Sequence, residues 1–125
     1  MLSKFRVYAT VPASDIDRAM RWYEEKLGFK PREKTPGGCI YEAGEGSAFT
    51  LYPTDNAGKS PATLLGFEVS DLAAEMSDLR KRGVKFEDYD LPNLKTKEGI
   101  ATMGPARIAW FKDSEGNILS VVQPR

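Results

Sequence analysis

Chemistry in this chain has to be done without histidine, of which the 125 residues contain none. Ser-His-Asp and Cys-His nucleophile systems are therefore excluded. With one cysteine and no imidazole, a zinc site of the usual kind is excluded too. Cys39 has no imidazole or evident cation to lower its pKa, and it reads as a buried structural thiol. The groups left to do chemistry are phenols, hydroxyls, a carboxylate and an indole on stretches with strand character. They are Tyr8, Thr10, Thr50, Tyr52, Glu68, Ser120 and Trp110. Glu68 has two readings, a base or cation anchor tuned by burial, and a solvated residue near a sheet edge; the second is preferred. Tyr and Thr on a sheet also need no explanation beyond strand preference.

The elements that must position these groups follow from periodicity. Phe5, Val7, Ala9 and Val11 alternate with Arg6, Tyr8 and Thr10, which predicts a strand with the first set in a core. Pro12 is expected to end its pairing. Ser14 is read as an N-cap, with Asp17 three residues on. Ile16, Ala19, Met20, Tyr23 and Leu27 then form an apolar helical stripe that Gly28 terminates. Asp17, Arg21 and Glu25 make a charged face opposite it.

Three short strands follow, Phe29–Lys34, Cys39–Glu42 and Ser47–Pro53, separated by glycine-rich turns. TDNAGKSP at 54–61 is linker-like. The pattern then restarts with strand Leu64–Val69, a Ser70 cap, the stripe Leu72, Met76 and Leu79, and Gly83. Residues 88–99 read as a charged loop over one end of a sheet. Strands are expected at Ile100–Met103, Ala106–Lys112 and Ile118–Gln123, the last two joined by Asp113-Ser114-Glu115-Gly116-Asn117. The sum is βαβββ twice, an internal repeat in an α+β architecture. One domain is expected over 1–125, with modules of roughly 1–55 and 62–125.

Several other features read as structural or solvent-facing. Trp110 and Phe111 are adjacent, so one faces the core and the other does not. Trp110 suits stacking on a ligand or packing at an interface. Trp22 reads as boundary packing. Glu87, Asp88 and Asp90 lack the spacing of a calcium loop. Lys95-Thr96-Lys97 reads as surface, or as part of a lid. Arg107 has two readings, a contact to an anionic substrate and a surface pair; the second is preferred. Lysine plus arginine and aspartate plus glutamate both total 18, so the net charge is zero and broad nucleic-acid binding is not expected. No apolar run reaches the length needed to span a bilayer, and MLSKFRVYATV lacks the apolar core of a secretory signal. A cytoplasmic protein with no membrane association is expected.

Three segments in order, ATVPASDIDRAMRWYEEKLGF, GFEVSDLAAEMSDLRKRG and WFKDSEGNILSVVQ, resemble the vicinal oxygen chelate superfamily of glyoxalases, bleomycin-resistance proteins and extradiol dioxygenases. The last resembles the family's F-x-D-P-D-G-N turn, with Ser114 in place of proline. The resemblance implies two tandem βαβββ modules forming curved mixed sheets around a concave cavity, and a homodimer. It places the seven candidate residues as cavity lining, a set suited to a neutral or cationic organic molecule held by stacking and hydroxyl hydrogen bonds.

The same resemblance places the family's metal-ligand positions at Tyr8, Thr50, Leu64 and Ser120. Leucine has no donor, and neutral hydroxyls are weak ligands for nickel, zinc or iron. No metal and no cofactor are therefore expected. The leading expectation is a metal-free protein that binds a small organic ligand. The alternatives are a metal-dependent lyase or dioxygenase with unorthodox ligands, and a protein-interaction module.

Overall fold

A computed structural model describes residues 1–125. The first half contains β1 (Ala9–Ala13), α1 (Ile16–Leu27), β2 (Glu33–Thr35), β3 (Gly38–Glu42) and β4 (Ala48–Pro53). The second contains β5 (Thr63–Glu68), α2 (Leu72–Lys81), a short hairpin of β6 (Asp90–Leu91) and β7 (Leu94–Lys95), then β8 (Ala101–Met103), β9 (Ala106–Lys112) and β10 (Ile118–Gln123). The two four-stranded sheets run β1-β4-β3-β2 and β5-β10-β9-β8. These are the same permutation, with the first strand parallel to the last and the others antiparallel. The repeat predicted from sequence is thus a repeat of topology, and the fold is α+β with two tandem modules. No helix is long and apolar enough to cross a membrane.

One core serves both halves. Val11, Ala13, Tyr23, Tyr41, Phe49 and Leu51 from the first cluster with Leu72, Met76, Ala109, Phe111, Leu119 and Val121 from the second. Trp22 stacks on Phe111 and Phe29 on Phe67, so aromatic contacts cross between the halves. Side chains alternate across a strand. The residues between these core positions therefore occupy the sheet faces that point away from the core.

Several local expectations are corrected. The helices are capped by Asp15 and Asp71, which accept from Arg18 N–H and Ala74 N–H, and not by Ser14 and Ser70. A carboxylate at this position also complements the helix dipole, which a hydroxyl does not. Phe5 and Val7 are 67% and 85% exposed, and pairing begins only at Ala9, because β4 offers no partner residue before Ala48. Pro12 lies within β1. It is tolerated because β1 pairs on one side only, with β4. Its carbonyl, on the unpaired side, accepts from Asn117. The expected strand Phe29–Lys34 shrinks to Glu33–Thr35, since Phe29 turns inward to Tyr41, Phe49 and Phe67. Residues 88–99 hold the β6–β7 hairpin. Asp88 organises them, accepting from the Thr96 hydroxyl and Gly99 N–H, which hold its carboxyl below the usual range.

The 113–117 turn joins the halves. Asp113 accepts from the Tyr23 hydroxyl at 2.7 Å, from the Asn117 side chain, and from the backbone of Glu115 and Asn117. Glu115 has a side chain with no solvent exposure and pairs with Arg18 at 2.9 Å. It also accepts from Asp15 N–H and from the hydroxyls of Ser14 and Ser114. Gly58 of the linker donates to Asn117, and with φ at 71° its position leaves no room for a side chain, since a Cβ would lie 2.3 Å from the Glu115 carbonyl. Burial alone would raise the Glu115 pKa, but these donors outweigh it and hold it at about 2, against an ordinary 4.5. A depressed carboxyl contributes stability that is present above its unfolded pKa and is lost as pH falls through the folded one. We therefore expect acid destabilisation between pH 4.5 and about 2. Glu115→Gln should flatten that dependence and cost about 2 kcal/mol at neutral pH, read by urea denaturation as a function of pH.

Candidate functional site

The outward face of the first sheet forms a hollow of about 580 Å³. Thr10, Thr50 and Ile40 are aligned across β1, β4 and β3, and Tyr52 follows next along β4. Ala48, Ile40, Thr50 and Tyr52 are half-buried in the hollow; Tyr8, Thr10, Arg6, Arg32 and Thr35 are its exposed members. The side chains of Tyr8, Thr10, Thr50 and Tyr52 have no hydrogen-bond partner within the chain. Arg6 donates to the Gly46 carbonyl at 2.8 Å and has no carboxylate partner. Arg32 pairs with Glu42 at 2.6 Å and lies 3.9 Å from Glu33.

Glu68, Trp110 and Ser120 belong to the second sheet. Ser120 aligns with Trp110 on β9 and with Gly66 on β5, on the side away from the core residues Leu119 and Val121. Both Trp110 and Ser120 are buried, at 7% and 6% exposure. The Trp110 indole N–H donates to the Thr63 hydroxyl at 3.0 Å, and the Tyr89 ring meets it edge-on at 5.6 Å. Tyr89 lies within the 88–99 segment, so that segment covers part of this face. Gly66 opens space for Ser120, whose hydroxyl would lie 2.8 Å from a Cβ there. Glu68 is exposed at the end of β5, beside a separate groove of about 360 Å³ between the halves.

The seven candidates therefore do not share one concave face within the chain. Four line the first hollow, and three sit on the second sheet, beyond the common core. Sequence reasoning did not single out Arg6, Arg32 and Ile40. Arg6 had a signal, since it shares one face of the expected strand with Tyr8 and Thr10. Arg32 lay within the expected strand Phe29–Lys34, but alternation there does not tie it to Tyr8 and Thr10; β2 itself starts only at Glu33.

Comparison with known proteins gives the family from sequence and the same fold from solved structures. The model of the Glyoxalase/Bleomycin resistance protein/Dioxygenase superfamily matches residues 6–121, and the chain belongs to that superfamily. It is 30% identical to an uncharacterized protein, YurT, of Bacillus subtilis (strain 168), over 94% of this chain and 97% of YurT. Among solved structures it is similar to TnmS3, an antibiotic binding protein from Streptomyces sp. CB03234, at TM-score 0.70 and 24% identity, covering 97% of this chain and 98% of that one. It is also similar to a bleomycin-binding protein complexed with bleomycin, at TM-score 0.72 and 18% identity, covering 97% and 99%.

The positions at which the family resemblance puts a metal do not fit one here. Tyr8, just before β1, and Thr50 line the hollow of the first sheet, and Leu64 and Ser120 are on the second sheet. Leu64 brings no donor atom. No three His, Cys, Asp or Glu side chains gather anywhere in the chain.

Cys39 lies on the core face of β3, 4% exposed, and burial pushes its thiol up. We expect it to resist thiol-directed reagents at pH 8 in the folded protein and to react fully in denaturant. Rapid labelling of the native chain would contradict this placement.

Proposed function

We propose that this protein binds a small organic molecule in the hollow of its first sheet, without a metal. The observation that carries the reading is the convergence there of four hydroxyl groups, from Tyr8, Thr10, Thr50 and Tyr52, with no partner inside the protein. The hollow's volume falls within the range of small-molecule sites. A hydroxyl on a half-buried sheet face gains most from a ligand that both accepts its proton and excludes water. Two proteins of the same fold bind bleomycin or an antibiotic, which supports the class of function.

We further propose a homodimer in which the first sheet of one protomer faces the second sheet of its partner. Each chain turns both outward faces away from its own core; the first is left open, and the second is covered only in part, by Tyr89 of the 88–99 segment. Exposed Phe5, Val7, Leu64 and Met103 supply apolar surface for such an association. A two-fold arrangement would bring Tyr8, Thr10, Thr50 and Tyr52 opposite the partner's Trp110 and Ser120, twice per dimer, while Glu68 stays beside the separate groove between the halves. The lyase and dioxygenase readings rest on no observation that favours them over binding.

A thermal-shift screen of apolar-aromatic compounds, followed by isothermal titration, should find ligands with micromolar dissociation constants. Tyr52→Ala should weaken binding by about 1–2 kcal/mol, through lost burial and a lost hydrogen bond. Protein prepared without a histidine tag should contain well under one metal per chain, and added nickel, zinc or manganese should not change ligand affinity. Stoichiometric metal that is required for binding would overturn the metal-free reading. Light scattering should give twice the monomer mass, and a strictly monomeric protein would overturn the dimer.

A further inference from the structure

We infer that the ligand of the first hollow is an organic anion, an aromatic carboxylate being the simplest form, with Arg6 as its anchor. The inference rests on the proposed binding site and specifies its chemistry. The only charged side chains lining the hollow are the guanidinium groups of Arg6 and Arg32; its hydroxyls can donate as well as accept, and none of its side chains is a carboxylate. The one carboxylate among the candidates, Glu68, lies on the other sheet. The neutral or cationic ligand expected from the residue types is thereby replaced by its opposite.

The two arginines are not equivalent. Arg32 is held by Glu42 and flanked by Glu33, so much of its charge is already balanced. Arg6 contacts only a neutral carbonyl, which leaves most of its donors and all of its charge available. A planar guanidinium presents paired N–H groups that match the two oxygens of a carboxylate. The Tyr8 and Tyr52 rings with Ile40 offer apolar surface for an aromatic body, and the threonine hydroxyls supply further donors. Glu42 competes with a bound anion for Arg32 and repels it. Its removal should therefore tighten binding, an effect that a merely structural role for these residues does not produce.

The test compares 2-naphthoate with its neutral isostere 2-naphthamide, by isothermal titration against the full chain at low and moderate salt. Naphthoate should bind more tightly, with affinity that falls as salt rises. Arg6→Gln should weaken naphthoate roughly five- to tenfold, as expected for loss of a charge-assisted pair at a partly open site. Glu42→Gln should strengthen it roughly two- to threefold, by freeing Arg32. Naphthamide should respond to neither substitution, and Arg21→Gln, on the exposed face of α1, should leave both unchanged. Equal binding of the two probes, or a naphthoate affinity indifferent to Arg6→Gln and Glu42→Gln, overturns the anion assignment while the binding reading stands. If neither probe nor any compound of the wider screen binds, both fall.

Discussion

Two carboxylates buried in one turn hold this molecule in register. Asp113 and Glu115 sit between the halves of the chain, and a buried carboxylate is tolerated only when its oxygens are hydrogen-bonded. Here the donors come from far along the sequence: Tyr23 and Arg18 on α1, and the Asp15 backbone at its start. Asn117 extends the same network to Pro12 at the end of β1 and to Gly58 in the linker. The two sheets share no strand pairing. Their relative placement therefore depends on the common apolar core, which is non-directional, and on this polar clasp, which is directional. A sequence that is apolar at all the right positions would still need the clasp to set where α1 begins, and hence where β1 runs.

The same arrangement governs the functional surface. Both helices and the inward faces of both sheets are consumed by one core, so the remaining sheet faces point outward. The Tyr8, Thr10 and Arg6 side of the hollow lies on and just before β1, an edge strand. Its position is set by parallel pairing with β4 and by the clasp at its far end. Charge around the hollow is distributed unevenly, with Arg32 neutralised in place and Arg6 left free. The face that resembles a metal site by its place in the fold is chemically a site of hydroxyls and guanidinium groups.

Much of the fold was legible in the sequence because its elements are locally consistent. The stripes of α1 and α2, the glycine stops and the 113–117 turn carry short-range signals that tertiary contacts reinforce. The repeat was legible for the same reason, since two copies of one pattern must bury their apolar faces alike. What was misread depends on partners distant in sequence. Phe5 and Val7 alternate as a buried strand does, yet no neighbour strand reaches them. Ser14 has the composition of a cap, but its hydroxyl is taken by Glu115, about a hundred residues away. The 88–99 segment looked like an open loop because its organising contact, from Thr96 to Asp88, is a side-chain bond that periodicity does not register.

Sequence alone determined the family, the α+β repeat and the removal of histidine chemistry from every candidate position. These are properties of residue identity and local order, and no packing can alter them. Grouping was a matter of three dimensions. Alternation says which residues share a face of one strand, but it does not say which sheets face one another. The common core divided seven candidates into four and three, brought Arg6 and Arg32 to the first group, and sent Glu68 elsewhere. That division left the first hollow with two guanidinium groups and no carboxylate, because the electrostatics of a site are set by the groups that converge in space.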